Sequence, residues 1–299
     1  MTPQPEIIAA YNNRCGEGPV WDADRNRLIW DDMNASLIFE YDRASGAKRL
    51  IGHGLNAAGM ALNRDGSLVL AGTEGLHLWR GPGDHRLLVA QHDGEPLNFN
   101  DILADRQGGL YAGTWYWGAV QYDKLGKLYR IDSGGAVSVM DEGIEMSNGL
   151  GLSPDDRTLY CADSSARRIY AYDVNPISGA LSNKRVFVQV PGDEGMPDGL
   201  TVDAAGFVWS AQWYGAQVVR YDPDGKVERR IALPVGQVAS LCFGGPELNE
   251  LYITTAGEAW TTDYAPPGYA SSGIRPGGEL YRLRLDIQGR LEHKTNFVF

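Results

Sequence analysis

The chain has 299 residues, 43% of them hydrophobic, and a formal net charge of −11. That length and apolar fraction allow a sizeable buried core. The acidity argues against a nucleic-acid backbone as partner, and no run approaches the roughly 18 apolar residues of a membrane helix. Cys15, Cys161 and Cys242 are too far apart to suggest a disulfide framework or a C-x-x-C metal pattern, and read as small buried hydrophobes. The opening M-T-P-Q-P-E-I-I-A-A-Y has no basic region followed by a long apolar one. No signal peptide is expected, and with so few cysteines the expected location is cytoplasmic.

Along the chain one pattern recurs: a polar turn with an acidic residue, a short apolar strand, then a second strand rich in tyrosine or tryptophan. The units are W-D-A-D-R-N-R-L-I-W, N-R-D-G-S-L-V-L-A-G-T, A-D-R-Q-G-G-L-Y-A-G-T, S-P-D-D-R-T-L-Y-C-A-D, V-D-A-A-G-F-V-W-S-A-Q and G-P-E-L-N-E-L-Y-I-T-T-A. Their acidic residues are Asp22, Asp65, Asp105, Asp155, Asp203 and Glu247, at the roughly 40-residue spacing of propeller blades. The stretches that follow, such as L-I-F-E-Y-D, R-I-Y-A-Y-D and V-V-R-Y-D-P-D-G, are close to period 2, while helical periodicity is nearly absent. A β-sandwich tandem has no reason to repeat one signature six times. The expectation is an all-β, six-bladed β-propeller of four-stranded antiparallel blades, forming a single domain over residues 1–299, because such units bury their faces only against one another.

The inner strand of each blade lines the central channel. Glu17, Asn100 and Asp198 each stand five residues ahead of Asp22, Asp105 and Asp203. Asn148 stands seven ahead of Asp155, which predicts an inner strand two residues longer in the fourth blade. The same offset reaches Ala58 in the second blade, with Asn56 nearby, and Gln237 opens the sixth. Any one Asn-Gly or Asp-Gly pair is ordinarily a turn. Four oxygen-bearing side chains at equivalent positions instead predict convergence on the axis, where they need a positive partner. A divalent cation meets that need. Oxygen-only donors suit Ca²⁺, Mg²⁺ or Mn²⁺, and Zn²⁺ also accepts carboxylates. The five histidines are scattered and do not suggest a histidine-rich zinc site.

G-E-G-P-V-W (16–21), F-N-D (99–101) with A-G-T (112–114), S-N-G-L (147–150), P-D-G-L-T-V-D (197–203), L-S-N-K-R-V-F (181–187) and C-F-G-G-P-E-L-N-E-L-Y-I-T-T-A (242–256) together resemble the SMP-30/gluconolactonase/LRE-like family of six-bladed propeller lactonases. The resemblance implies one divalent metal, Ca²⁺ or Zn²⁺ first and Mg²⁺ or Mn²⁺ also, held by Glu17, Asn148 and Asp198. It implies that Asn100 meets the substrate or the metal's water, and that a sugar lactone is opened to the aldonic acid with Asp198 as catalytic base. Many members carry an arginine two residues before the Asn of F-N-D, where this chain has Asn98. After A-G-T it has Trp115, Tyr116 and Trp117. Asn98 and these aromatics are therefore expected to bound a substrate pocket that is more aromatic and less charged than usual, which weakens the case for gluconolactone itself. The expected partner is a small-molecule lactone, with no nucleic acid or membrane, for a monomer or homodimer. A phosphotriester or non-sugar lactone hydrolase on the same site, and a metal-binding propeller without catalysis, are the alternatives. A metal-free synthase of the strictosidine type is disfavoured because the ligand positions are filled.

Overall fold

A computed structural model describes residues 4–116, 124–258, 263–269 and 273–298. In it the recurring units form six four-stranded antiparallel sheets arranged as a six-bladed propeller. The inner strands, in blade order, are Gly16–Asp22, Gly59–Leu62, Phe99–Ala104, Ser147–Leu152, Met196–Val202 and Val238–Gly244. The sixth sheet takes its outermost strand from the other end of the chain. Glu6–Ala9 pairs antiparallel with Leu280–Arg284, so the two ends of the chain close the ring.

Inner and middle strands lie between two neighbouring blades, with both faces covered. They are therefore nearly continuous apolar runs, such as L-V-L-A-G at Leu68–Gly72, while outer strands such as Leu181–Gln189 are largely exposed and polar. Each junction between adjacent blades holds its own apolar cluster. At the closing junction Trp21 of the first blade stacks on Tyr252 of the sixth, 5.8 Å between ring centroids.

The recurring acidic residues clamp turns. Asp203 accepts hydrogen bonds from the Ala205 and Phe207 N–H groups, the Trp209 indole and the Arg220 guanidinium. Asp105 does the same for the Gly109 N–H and Arg130. The fourth blade corrects one expectation. Ser153, and not Asp155, takes the place of Asp105 and Asp203: its N–H reaches Thr158 O as theirs reach Gly109 O and Phe207 O. Asn148 thus keeps the same five-residue offset as its counterparts, and the extra length lies in the turn.

The C-terminal segment crosses the far face. Gln288 O accepts from the Ala204 N–H, the Arg290 guanidinium donates to the carbonyls of Leu152 and Ser153, and Asn296 N–H donates to Gly108 O. These contacts touch the fifth, fourth and third blades and cover that end of the channel. No helix among the described residues is long and apolar enough to cross a membrane.

At the axis the inner strands meet backbone to backbone. A Cβ on Gly149 would lie 2.3 Å from Leu200 N and 2.4 Å from Asp198 O, and one on Gly199 would lie 2.6 Å from Ser240 Cα. These glycines follow Asn148 and Asp198 directly, so the pairs that read as turns are strand residues at a close approach. Gly149→Ala is expected to destabilise the protein by about 1–3 kcal/mol through overpacking, lowering Tm by several degrees in a thermal melt. An unchanged Tm would show that the inner strands have room to part.

Candidate active site

In the first, third, fourth and fifth blades the inner strand slips register where the axial side chain stands. The irregularities fall between Glu17 and Val20, Phe99 and Ile102, Ser147 and Leu150, and Pro197 and Leu200. A bulge re-aims a side chain that regular pleating would direct into a blade junction. Glu17, Asn100, Asn148 and Asp198 all line one cavity of about 240 Å³, together with Trp115.

The two amides are held by hydrogen bonds. The Asn100 Nδ2 donates to Ser147 O at 2.9 Å. The Asn148 Nδ2 donates to Ser164 Oγ at 3.2 Å, and that hydroxyl donates to Pro197 O at 2.7 Å. Asp198 is buried, and its Oδ1 has no hydrogen-bond partner. Glu17 is half-buried and lies opposite Asp31 in the first hairpin.

Two further carboxylates stand behind the cavity. Asp31 is 1% exposed and both its oxygens lack partners. Asp101 accepts from the Ile102 N–H at 2.7 Å. Burial and neighbouring charge raise the proton affinity of these acids. Burial, then the charges of Asp198, Asp31 and Asp101, push Glu17 well above the usual carboxylate range. Burial, then the charge of Asp101, does the same to Asp198, opposed by hydrogen bonds from Asn148 and Gly199. Burial, then the charges of Asp32 and Asp101, raises Asp31. No lysine, arginine or histidine is among the described residues lining the cavity. Among the described residues no three His, Cys, Asp or Glu side chains cluster at metal-ligand distance, so the donor set here is two carboxylates and an amide. Hard oxygen donors, an orphaned carboxylate oxygen and uncompensated negative charge fit a divalent cation.

Asn98 and Tyr116 lie outside the lining. Asn98 braces Trp115 through both backbone groups: its Nδ2 donates to Trp115 O at 3.0 Å, and its own carbonyl accepts the Trp115 N–H at 3.2 Å. The Tyr116 hydroxyl donates to Pro96 O at 3.0 Å, and the Lys124 ammonium sits 4.3 Å from its ring centroid. Trp117 lies outside the described residues. The sequence reading missed Cys15, Met146 and Met196, which also line the cavity. Each stands two residues before an axial residue. That spacing was available in the sequence. It also missed Asp31, whose only signal is its place across the hairpin from Glu17.

Residues 15–257 match the family model described as the SMP-30/Gluconolactonase/LRE-like region. Pentonolactonase XacC of Haloferax volcanii is 37% identical over 284 residues, covering 95% of each chain. Regucalcin of Xenopus laevis is 30% identical over 90% of this chain and 92% of its own. The crystal structure of a calcium-binding protein, regucalcin, from Agrobacterium tumefaciens superposes with a TM-score of 0.85 at 26% identity, over 100% of this chain and 98% of that one. With its propeller, its axial donor set and these relatives, the chain belongs to the SMP-30/gluconolactonase/LRE-like family.

Proposed function

We propose that this protein is a lactonase that opens a small sugar lactone to its acid in the cavity of Glu17, Asn100, Asn148 and Asp198. One observation carries the reading: these four side chains converge on one cavity while Asp198 Oδ1 is buried and unpartnered. The similarity to a pentonolactonase supports the lactone as substrate class. Glu17, Asn148 and Asp198 would hold one divalent cation. Ca²⁺ suits the oxygen-only set and is the ion named for the regucalcin structure, and Zn²⁺, Mg²⁺ and Mn²⁺ accept the same donors. When bound, such a cation polarises the lactone carbonyl and lowers the pKa of a water.

The side chains then divide the work. Asp198 takes a proton from the attacking water as its oxygen bonds to the carbonyl carbon. Asn100, fixed by its bond to Ser147 O, has a second amide N–H to donate to the carbonyl oxygen as negative charge develops there. When the acyl–oxygen bond breaks, Asp198 returns the proton to the ring oxygen, which leaves as a hydroxyl. Glu17 and Asn148 keep position, with Glu17 adding charge. The product is a carboxylate in a cavity whose own acids repel it, which favours release. Asn98 acts on the substrate through Trp115, whose backbone it holds.

Proton release from a panel of aldonolactones tests the reading. Turnover on some of them, lost with chelator and restored by added metal, is expected. Asp198→Asn is expected to lower kcat by about 10²–10⁴-fold, as loss of a general base does. Full activity in the chelated protein, or in Asp198→Asn, would sink the mechanism.

A stability measurement reads the acid cluster separately. Burial holds the Asp101 proton up to about 7, with the Glu292 charge adding to it and the Ile102 and Leu150 N–H groups opposing. In the unfolded chain the group ionises near 3.9. Between about pH 4 and 7 the folded state therefore binds more protons, and the stability of the metal-free protein falls as pH rises through that window. Thermal melts in chelator are expected to show this decline in wild type and a flatter profile in Asp101→Asn. Parallel profiles would mean that Asp101 is already ionised in the folded channel.

A further inference from the structure

One further position repeats around the blades. The residue at the end of each second strand meets the residue two before the axial one. The N–H groups of Met33, Trp115, Ser164 and Ala256 donate to the carbonyls of Cys15, Asn98, Met146 and Gln237 at 2.9, 3.2, 3.0 and 3.1 Å. Trp213 pairs with Met196 in the fifth sheet. In the second blade the Thr73 N–H reaches the Asn56 side chain instead, at 3.1 Å. Read around the propeller, the positions are Met33, Thr73, Trp115, Ser164, Trp213 and Ala256. They are large in the first, third and fifth blades and small in the others. Met33, Trp115, Ser164 and Trp213 line the cavity. The two tryptophans therefore flank the fourth blade. Between them stands the small Ser164, whose hydroxyl takes the Asn148 amide, so the space between the indoles adjoins one of the axial donors.

Both tryptophan backbones are fixed. Asn98 Nδ2 donates to Trp115 O at 3.0 Å. Two other amides at that level do the same for their neighbours: Asn56 Nδ2 donates to Met33 O at 2.8 Å and Gln237 Nε2 to Glu258 O at 2.9 Å. Met33, Trp115 and Glu258 all line the cavity, so these amides set the loops at its mouth. Trp213 is held by its strand pairing and by aromatic packing. Its ring meets Tyr214 at 5.9 Å between centroids, close to perpendicular, and Tyr214 meets Tyr269 at 4.8 Å. Tyr214 has φ 64°, a left-handed conformation that a bulky residue adopts only where its surroundings impose it. The Trp213 ring nitrogen is buried without a hydrogen-bond partner, so the surface that Trp213 gives the cavity is ring carbon.

We infer that Trp115 and Trp213 are specificity-determining residues that hold the closed lactone ring by its C–H bonds and let the opened acid go. The inference rests on the lactonase reading and says how that substrate is recognised. An aromatic face is negative, and a C–H bond on a carbon bearing oxygen is polarised positive, so the two attract. The closed ring offers several such bonds in one fixed shape. Opening it makes a chain that must lose torsional freedom to stack again, and a carboxylate that Glu17 and Asp198 repel. Fixed walls thus favour the ring over its product, because their own ordering was completed on folding.

The test uses the full-length, metal-loaded protein and two probes: xylono-1,4-lactam, an unreactive ring, and xylonate, the opened acid. Calorimetry gives Kd for each, and a misfolded fraction lowers the stoichiometry while leaving Kd in place. Trp115→Leu and Trp213→Leu are each expected to weaken the lactam about 3- to 10-fold, the size of one aromatic contact, and xylonate less than about twofold. Trp115→Phe and Trp213→Phe are expected to recover most of the lactam affinity lost in the leucine variants. Unchanged lactam affinity in either leucine variant, equal weakening of lactam and acid, or no lactam binding by the wild type would overturn the inference. A Trp213→Phe protein as weak as Trp213→Leu would overturn it too, by placing recognition in the indole N–H. Proton release from xylono-1,4-lactone on the same samples judges the lactonase reading separately. Turnover with any of the overturning results leaves that reading standing, and a bound lactam with no lactone turned over sinks it while the aromatic walls remain.

Discussion

At the axis of this propeller neighbouring inner strands are separated by less than a side chain. Gly149 and Gly199 exist at that contact because a Cβ would meet the next blade's backbone. Strands that close leave no space for an axial side chain to turn sideways into the blade junction. The register slips beside Glu17, Asn100, Asn148 and Asp198 then present these groups along the channel, where no cationic side chain meets them among the described residues lining the cavity. Backbone contact fixes the convergence, and convergence creates the electrostatic problem.

Four carboxylates in one channel with no cationic side chain among the lining residues is a costly arrangement. The turn clamps elsewhere in the molecule show how the same chain treats buried acids that serve structure alone: Asp203 is surrounded by Arg220, an indole N–H and two backbone N–H groups. Asp31, also buried, receives nothing. Arginine was available to the fold and is absent from the described residues lining the channel. That contrast within one molecule is the physical argument that the channel acids wait for a charge from outside the chain. It also explains why the metal-free channel resists ionisation.

The repeat was legible because each blade must solve the same problem. Inner and middle strands need two apolar faces, and the tight turn between them needs an acidic or hydroxyl cap. The axial set was legible from the same register. The misplaced anchor in the fourth blade arose because Asp155 and Ser153 both suit a turn, and only the hydrogen bond from Ser153 to Thr158 O distinguishes them. Asp31 was illegible for a different reason. A residue across a hairpin is located by pairing register, and W-D-D offers two adjacent acids of which one, Asp32, merely caps the Arg14 and Cys15 N–H groups. The direction of Asn98 was likewise unreadable. An amide two residues before a ligand serves a substrate or a loop equally well, and here its partner is the Trp115 backbone.

The residues around the cavity have different tolerances to change. A substitution at Glu17 or Asp198 changes the charge in the channel, while one at Gly149 or Gly199 meets the backbone of the next blade. A substitution at Asn56, Asn98 or Gln237 releases the carbonyl of a mouth loop, and so changes the shape of the cavity from a distance. Cys15, Met146 and Met196 have no such duty to a mouth loop. They touch the cavity and their own apolar neighbours, and a different side chain there changes the cavity wall while both the axial carboxylates and the loop braces stay in place. The axial carboxylates and the sulfur side chains two residues before them are thereby open to separate substitution.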